Sequence, residues 1–205
     1  MVHVYEKLQS VAFERLPEPI QKVYLASPVF STVVEPEGDG FKLTTPSLLD
    51  QPANQALVPK LGIKSWRDSG SLGMIYEGVN IRAIAERLLQ SPTQPQRTIA
   101  QAWTETGTPL KLHLSPYVDF SQATEVRFLA TRKRCKRISL CLRGQSVQSF
   151  NSVFPHIADF ANAVAQYLAS WSQIIDIAYF PTGEIRLVEI NPGLTPLDIA
   201  KLRQA

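Results

Sequence analysis

The sequence predicts an α+β fold built on antiparallel sheets. Three observations lead there. Apolar residues make up 44% of the 205 positions and charged residues 19%, enough to bury a core and too ordinary for disorder or a disulfide scaffold. Short β-rich runs recur along the chain and outnumber helical patterns. Two pairs of those runs are joined by tight polar turns, which makes them hairpins rather than members of a βαβ crossover.

Each element follows from its pattern. Residues 1–20 form an amphipathic opening segment that stops at Pro17 and Pro19. Residues 22–34 are β-rich, with Pro28 interrupting them. A turn over 35–40 precedes a strand over 41–45, and 46–60 reads as a loop carrying Pro46, Pro52 and Pro59. A Ser/Gly-rich loop follows over 65–73. Ile81, Ile84, Ala85, Leu88 and Leu89 have helical spacing, so 80–90 is a half-buried helix with Asn80 as its N-cap. Strands are expected over 98–103, 110–114, 125–131 and 136–142. The last two form a hairpin with a basic tip. Pro155 to Trp171 is the longest expected helix, with Ile157, Phe160, Ala161, Val164, Tyr167 and Leu168 on one face. Strands over 173–180 and 185–190 make the closing hairpin, turning at Pro181-Thr182-Gly183-Glu184.

Composition excludes several functions. No apolar run approaches the roughly 18 residues that span a bilayer, and the N-terminus lacks a signal-peptide core. The expectation is a cytoplasmic protein whose Cys135 and Cys141 are free thiols. The net charge of +3 conceals a bias: residues 125–143 hold seven basic residues and one acidic. Five of the six residues from Arg132 to Arg137 are basic, either a solvated tip or a contact for an acidic protein or peptide partner, nucleic acid or a phosphate-bearing substrate. No aromatic residues are interleaved there, so nucleic acid is not expected. His3, His113 and His156 form no recognisable catalytic arrangement and read as structural or surface residues.

The closing hairpin carries the chemistry. Asp176 lies in its first strand, and Glu189 and Asn191 end its second. Carboxylates in apolar strands are costly unless paired or bound to a cation. Glu189 and Asn191, two apart, share a sheet face, and Asp176 falls roughly opposite Glu189. Three oxygen donors suit a hard cation such as Mg²⁺. On spacing alone, the alternative that these acids pair with basic neighbours stays open.

This pattern resembles the metal-binding end of the ATP-grasp superfamily, and more of the chain is similar to one branch, the cell division cycle 123 family. Tyr117-Val118-Asp119 followed by Glu125-Val126-Arg127 and then Ile138-Ser139 matches one stretch of that family. Pro59-Lys60-Leu61 with Arg67-Asp68 matches a second, Leu88-Leu89-Gln90-Ser91 a third, and Asp176 with Glu189-x-Asn191-Pro192 the last. The resemblance implies two lobes with antiparallel sheets clasping ATP. The N-terminal lobe, 1–110, carries Lys60 and a mobile loop over 65–73. The C-terminal lobe, 111–205, carries the basic hairpin and the metal hairpin. It implies Lys60, Arg67 and Arg127 as phosphate contacts, with Lys60 and Arg127 catalytic. Backbone near Leu112–Leu114 reads adenine, and Asp176, Glu189 and Asn191 hold Mg²⁺. The implied activity is an ATP-dependent carboxylate–amine or carboxylate–thiol ligase. The alternatives are an ATP-dependent assembly factor, as the family is for translation initiation factor 2, or a degenerate domain. Two departures bear on this choice. The family's polar Gln-Arg-Asp after Ile-Ser is here Leu140-Cys141-Leu142, and its longer C-terminal tail has no match.

Overall fold

A computed structural model describes residues 2–65, 73–143, 146–169 and 171–203. The chain divides into two compact units, one of residues 26–117 and the other of 3–25 with 118–205. The opening helices therefore cluster with the C-terminal residues, and the strand after Leu110 with the middle of the chain, unlike a cut at 110/111.

The 26–117 unit contains a five-stranded antiparallel sheet in the order β2-β1-β5-β3-β4. Its strands are β1 (Phe30–Glu37), β2 (Gly40–Leu43), β3 (Leu57–Leu61), β4 (Lys64–Ser65) and β5 (Lys111–Pro116). Helix α3 (Ile81–Gln90) packs on β2, and α4 (Gln94–Glu105) on β3 and β4. Asn80 caps α3 as expected, its Oδ1 accepting from the Ala83 amide at 2.9 Å. Ile81, Ala85, Leu88 and Leu89 are the buried stripe of that helix. Gly40 begins β2 beneath the Leu89 carbonyl, where a Cβ would collide with backbone.

The strand expected over 98–103 is helix α4 instead. Pro95 stands in its first turn, where a missing N–H costs nothing. Thr93 and Gln96 form the capping box, with the Thr93 amide donating to Gln96 Oε1 at 2.7 Å. Ile99, Ala100, Ala102 and Trp103 are buried by helical spacing, which a six-residue window reads as a short apolar run. Pro59, expected in a loop, lies inside β3 opposite Leu114.

In the other unit, four antiparallel strands are ordered β7-β6-β8-β9: β6 (Thr124–Thr131), β7 (Arg134–Cys141), β8 (Gln173–Tyr179) and β9 (Ile185–Pro192). Helix α5 (Val147–Tyr167) packs against β6, β7 and β8. Its buried Phe150, Ile157, Ala161 and Val164 share the core with Val126, Phe128, Ile175 and Ile177. It starts eight residues before the expected Pro155, capped by Ser146, whose Oγ accepts from the Ser149 amide at 3.1 Å. Pro155 sits inside the helix, and Tyr167, expected on the core face, is exposed. Helices α1 (Val2–Gln9) and α2 (Glu18–Val23) precede the sheet strands in the chain, and α6 (Pro196–Arg203) follows them. Pro19 opens α2 rather than ending a helix, and α6 has no counterpart in the sequence reading. Among the described residues, no helix is long and apolar enough to cross a membrane.

Candidate functional site

The two faces of the β7-β6-β8-β9 sheet differ in kind. Val126, Phe128, Ile175, Ile177, Leu187 and Ile190 are buried on the face that α5 covers. The residues between them point to the opposite face by the alternation of the pleat. There, Ser139 stands opposite Arg127, Arg127 opposite Asp176, and Asp176 opposite Glu189. One polar row thus crosses all four strands.

Within the row, Arg127 forks onto Asp176. Its Nε donates to Oδ1 at 2.7 Å and its Nη2 to Oδ2 at 2.8 Å. Bidentate guanidinium–carboxylate pairs are the strong, orienting kind. The Asp176 hydrogen bonds raise the affinity of Arg127 for its proton, and burial works against them. The pairing with a basic neighbour left open by the spacing is therefore real for Asp176. It does not use up the carboxylate, because each oxygen keeps a further lone pair.

Glu189 and Asn191 lie on the same face. Asn191 Nδ2 donates to Glu189 Oε2 at 3.2 Å, which turns its Oδ1 away and keeps it available as an acceptor. Beneath them Tyr24 lies along the outer edge of β9, bridged to Leu187, and its phenol oxygen accepts from the Ile190 amide at 3.2 Å. Burial, and then the negative charge of Glu189, push the Tyr24 phenol well above its usual range, so it stays a neutral prop. Gly193 closes the segment. Its amide donates to the Ser172 carbonyl at 3.0 Å, and a Cβ there would overlap that same carbonyl.

Two irregularities flank the row. The ladder of β8 with β9 shifts between Asp176 and Ile177, leaving Val188 as the extra residue. The ladder of β6 with β7 shifts between Arg127 and Phe128, where Ile138 is extra. Bulges of this kind bend a strand and re-aim its side chains.

Among the described residues, no three His, Cys, Asp or Glu side chains are grouped to hold a metal. The donor set on the open face is two carboxylates and an amide oxygen. That fits Mg²⁺ in the manner of sites where one or two carboxylates bind the ion and phosphates complete its shell.

The remaining expected residues lie in the other unit. Lys60 is half-buried in β3, opposite His113 of β5 and Ser65 of β4. His113 is buried, and its Nδ1 shares a 2.8 Å hydrogen bond with Ser31 Oγ. Its place beside Lys60 was not legible in the sequence, since cross-strand neighbours are far apart along the chain. Leu112 and Leu114 are core side chains in the central strand, which β1 and β3 pair from both sides. The Leu114 carbonyl already accepts from the Val29 amide at 2.9 Å. Arg67 and most of the 65–73 loop lie outside the described residues.

The basic tip is divided in its work. Arg132 and Lys133 form the two-residue turn, both at positive φ. Lys133 Nζ donates to the Gln166 carbonyl at 2.6 Å and to that of Leu168, so it caps the end of α5. Arg137 lies over the rings of Phe150 and Phe154, at 5.8 and 5.0 Å from their centroids. Cys135 also faces α5, its thiol donating to the Ala161 carbonyl at 3.3 Å, and burial pushes it up to about 11. Cys141, also a free thiol, is exposed on the edge strand.

No family model matches the chain, and no curated protein matches it in sequence. Among solved structures it is similar to Cdc123 from Schizosaccharomyces pombe. The TM-score is 0.60 at 15% identity, over 91% of this chain and 85% of that one. The C-terminally truncated form of the same protein gives 0.58 at 16% identity, with the same coverage. The D-alanine-D-alanine ligase from Coxiella burnetii gives 0.39 at 16% identity, over 80% of this chain and 43% of that one. At such identities the likeness speaks for the fold. By fold, this chain is similar to Cdc123: helices packed on two antiparallel sheets, an α+β arrangement.

Proposed function

We propose that the chain binds Mg-ATP on the open face of the β7-β6-β8-β9 sheet. The observation that carries this reading is the row Arg127–Asp176–Glu189, with Asn191 beside it on the same face. Asp176, Glu189 and the Asn191 amide oxygen would hold the ion, which supplies charge neutralisation at the phosphates when bound. Arg127 is fixed by Asp176 with one edge of its guanidinium, leaving other N–H groups to meet a phosphate oxygen. Tyr24 and Gly193 fix the backbone from which Glu189 and Asn191 project. The proposed activity is ligation: a carboxylate oxygen takes the γ-phosphoryl group, ADP leaves, and an amine or thiol then displaces phosphate. The residues named would act by positioning and by offsetting charge.

A second reading, a nucleotide-dependent assembly factor without turnover, is favoured by one observation. The fold matches Cdc123 at TM-scores of 0.60 and 0.58, and the sequence resembles that protein's family.

Calorimetry with Mg-ATP tests the binding. Saturable binding, lost in Glu189→Gln and Asn191→Ala while circular dichroism is unchanged, supports the site. Undiminished affinity in both variants refutes it. ADP release stimulated by a carboxylate together with an amine or thiol supports the ligase. Binding without release under any such pair supports the assembly reading. No nucleotide binding by the wild-type chain leaves a degenerate domain.

A further inference from the structure

The two edges of the β7-β6-β8-β9 sheet are treated differently. The β9 edge is covered by the chain itself: Tyr24 bridges to Leu187, and the Leu25 amide donates to the Leu187 carbonyl at 2.7 Å. The β7 edge is not. β7 is eight residues long, and among the described residues β6 is its sole strand partner. Its tip is closed by α5, where Asn162 Oδ1 accepts from the Cys135 amide at 2.9 Å. From Arg137 to Cys141 the strand is largely exposed, and Ile138 is 50% exposed at the bulge. An uncovered edge offers a row of backbone donors and acceptors to any strand that comes alongside.

Charge selects what that strand is. Lys133 and Arg137 are engaged with α5, but Arg132, Arg134 and Lys136 are exposed and have no acidic partner among the described residues. Arg134 and Lys136 stand opposite Thr131 and Leu129, on the open face, directly beside the free edge. A second copy of this chain pairing antiparallel through 137–141 would set these cations against residues 142–146, which include no acid. An acidic strand would meet them with opposite charge.

We infer that the β7 edge is a docking strand for an acidic, extended segment of a protein partner, held by backbone pairing along 137–141 and by Arg132, Arg134 and Lys136. This surface is independent of the nucleotide reading. Backbone pairing supplies affinity and the flanking cations select the sequence, the division of labour in strand addition generally.

The test uses the full chain and a fluorescent peptide of about eight residues, the length of β7, alternating Glu with Val or Thr. A control peptide of the same charge carries proline at alternate positions. The first peptide should bind at least about tenfold more tightly than the control. Binding should raise hydrogen-exchange protection of amides within 137–141 and should fall at least about tenfold in Arg134→Glu/Lys136→Glu. Equal binding of both peptides would overturn the pairing, leaving charge attraction alone. Unchanged affinity in the double variant would overturn the role of the cations. No binding of either peptide, or tighter binding of an RNA oligomer of equal charge, would overturn the proposal outright. In the first of those cases the charges serve to keep the edge unpaired.

Discussion

Lys7 and Asp198 are separated by nearly the whole chain and meet in its interior. Lys7 Nζ lies 2.8 Å from Asp198 Oδ2, with side chains 11% and 7% exposed. The same Oδ2 accepts from the Thr195 amide and hydroxyl, both at 2.9 Å, so Asp198 is also the acidic half of a cap on α6. Lys7→Met keeps the stem and removes the ammonium, stranding a buried carboxylate. Breaking a buried pair from one side costs about 3–5 kcal/mol, and the two surviving Thr195 bonds argue for the lower end. About 3 kcal/mol corresponds to a melting temperature lower by roughly 6–12 °C in a chain of this size. The pH dependence gives an independent reading. The Lys7 hydrogen bond first, and then the Thr195 amide, hold the Asp198 carboxyl down at about 2. A carboxyl depressed on folding stabilises at pH values above its unfolded pKa of about 4 and loses that contribution as pH falls toward 2. Thermal melts from pH 7 to 2, followed by circular dichroism, should show wild type losing stability below about pH 4. Lys7→Met should start lower and lose less over that window. A variant melting within about 2 °C of wild type at pH 7, with an unaltered acid limb, would refute the reasoning.

Other predictions concern the sheet and its surroundings. Arg127→Gln should weaken Mg-ATP binding about tenfold or more in calorimetry, since it removes a charge-assisted phosphate contact and frees the side chain of Asp176. Gly193→Ala should destabilise by about 1–3 kcal/mol in urea, because its Cβ meets the backbone of Ser172 and not a flexible side-chain end. Lys133→Met should cost about 1 kcal/mol by the same measurement and speed hydrogen exchange in the last turn of α5, whose carbonyls lose their cap.

Much of this architecture could be read before any coordinates, and the failures have physical causes. Asn80 and the 81, 84, 85, 88, 89 spacing announce α3, because cap and stripe are local facts. The hairpins were legible for the same reason: alternation fixes the face and the turn fixes the partner. α4 was missed because 98–103 taken alone is a short apolar run, whereas the helical signal lies in the cap and first-turn proline before it. The opposition of Asp176 and Glu189 follows from hairpin arithmetic, but the fork from Arg127 does not. It arises from pairing β6 with β8 across forty-one intervening positions, between Thr131 and Gln173, that hold a second strand and a long helix. Tyr24 was invisible for a related reason. Nothing in its own segment says that it will lie along β9 beneath Glu189.

The extra residue in β9 has a consequence for variation by insertion and deletion. Ile177 pairs with Leu187 and Asp176 with Glu189, so the ladder is already in register on either side of Val188. A single-codon deletion of Val188 would leave every partner pair and the in-out order of Leu187, Glu189 and Ile190 unchanged. It would straighten the strand and alter only the angle at which Glu189 leaves it. The identity of the charged groups and their direction are therefore separately heritable traits of this hairpin, and a chain can change one without touching the other.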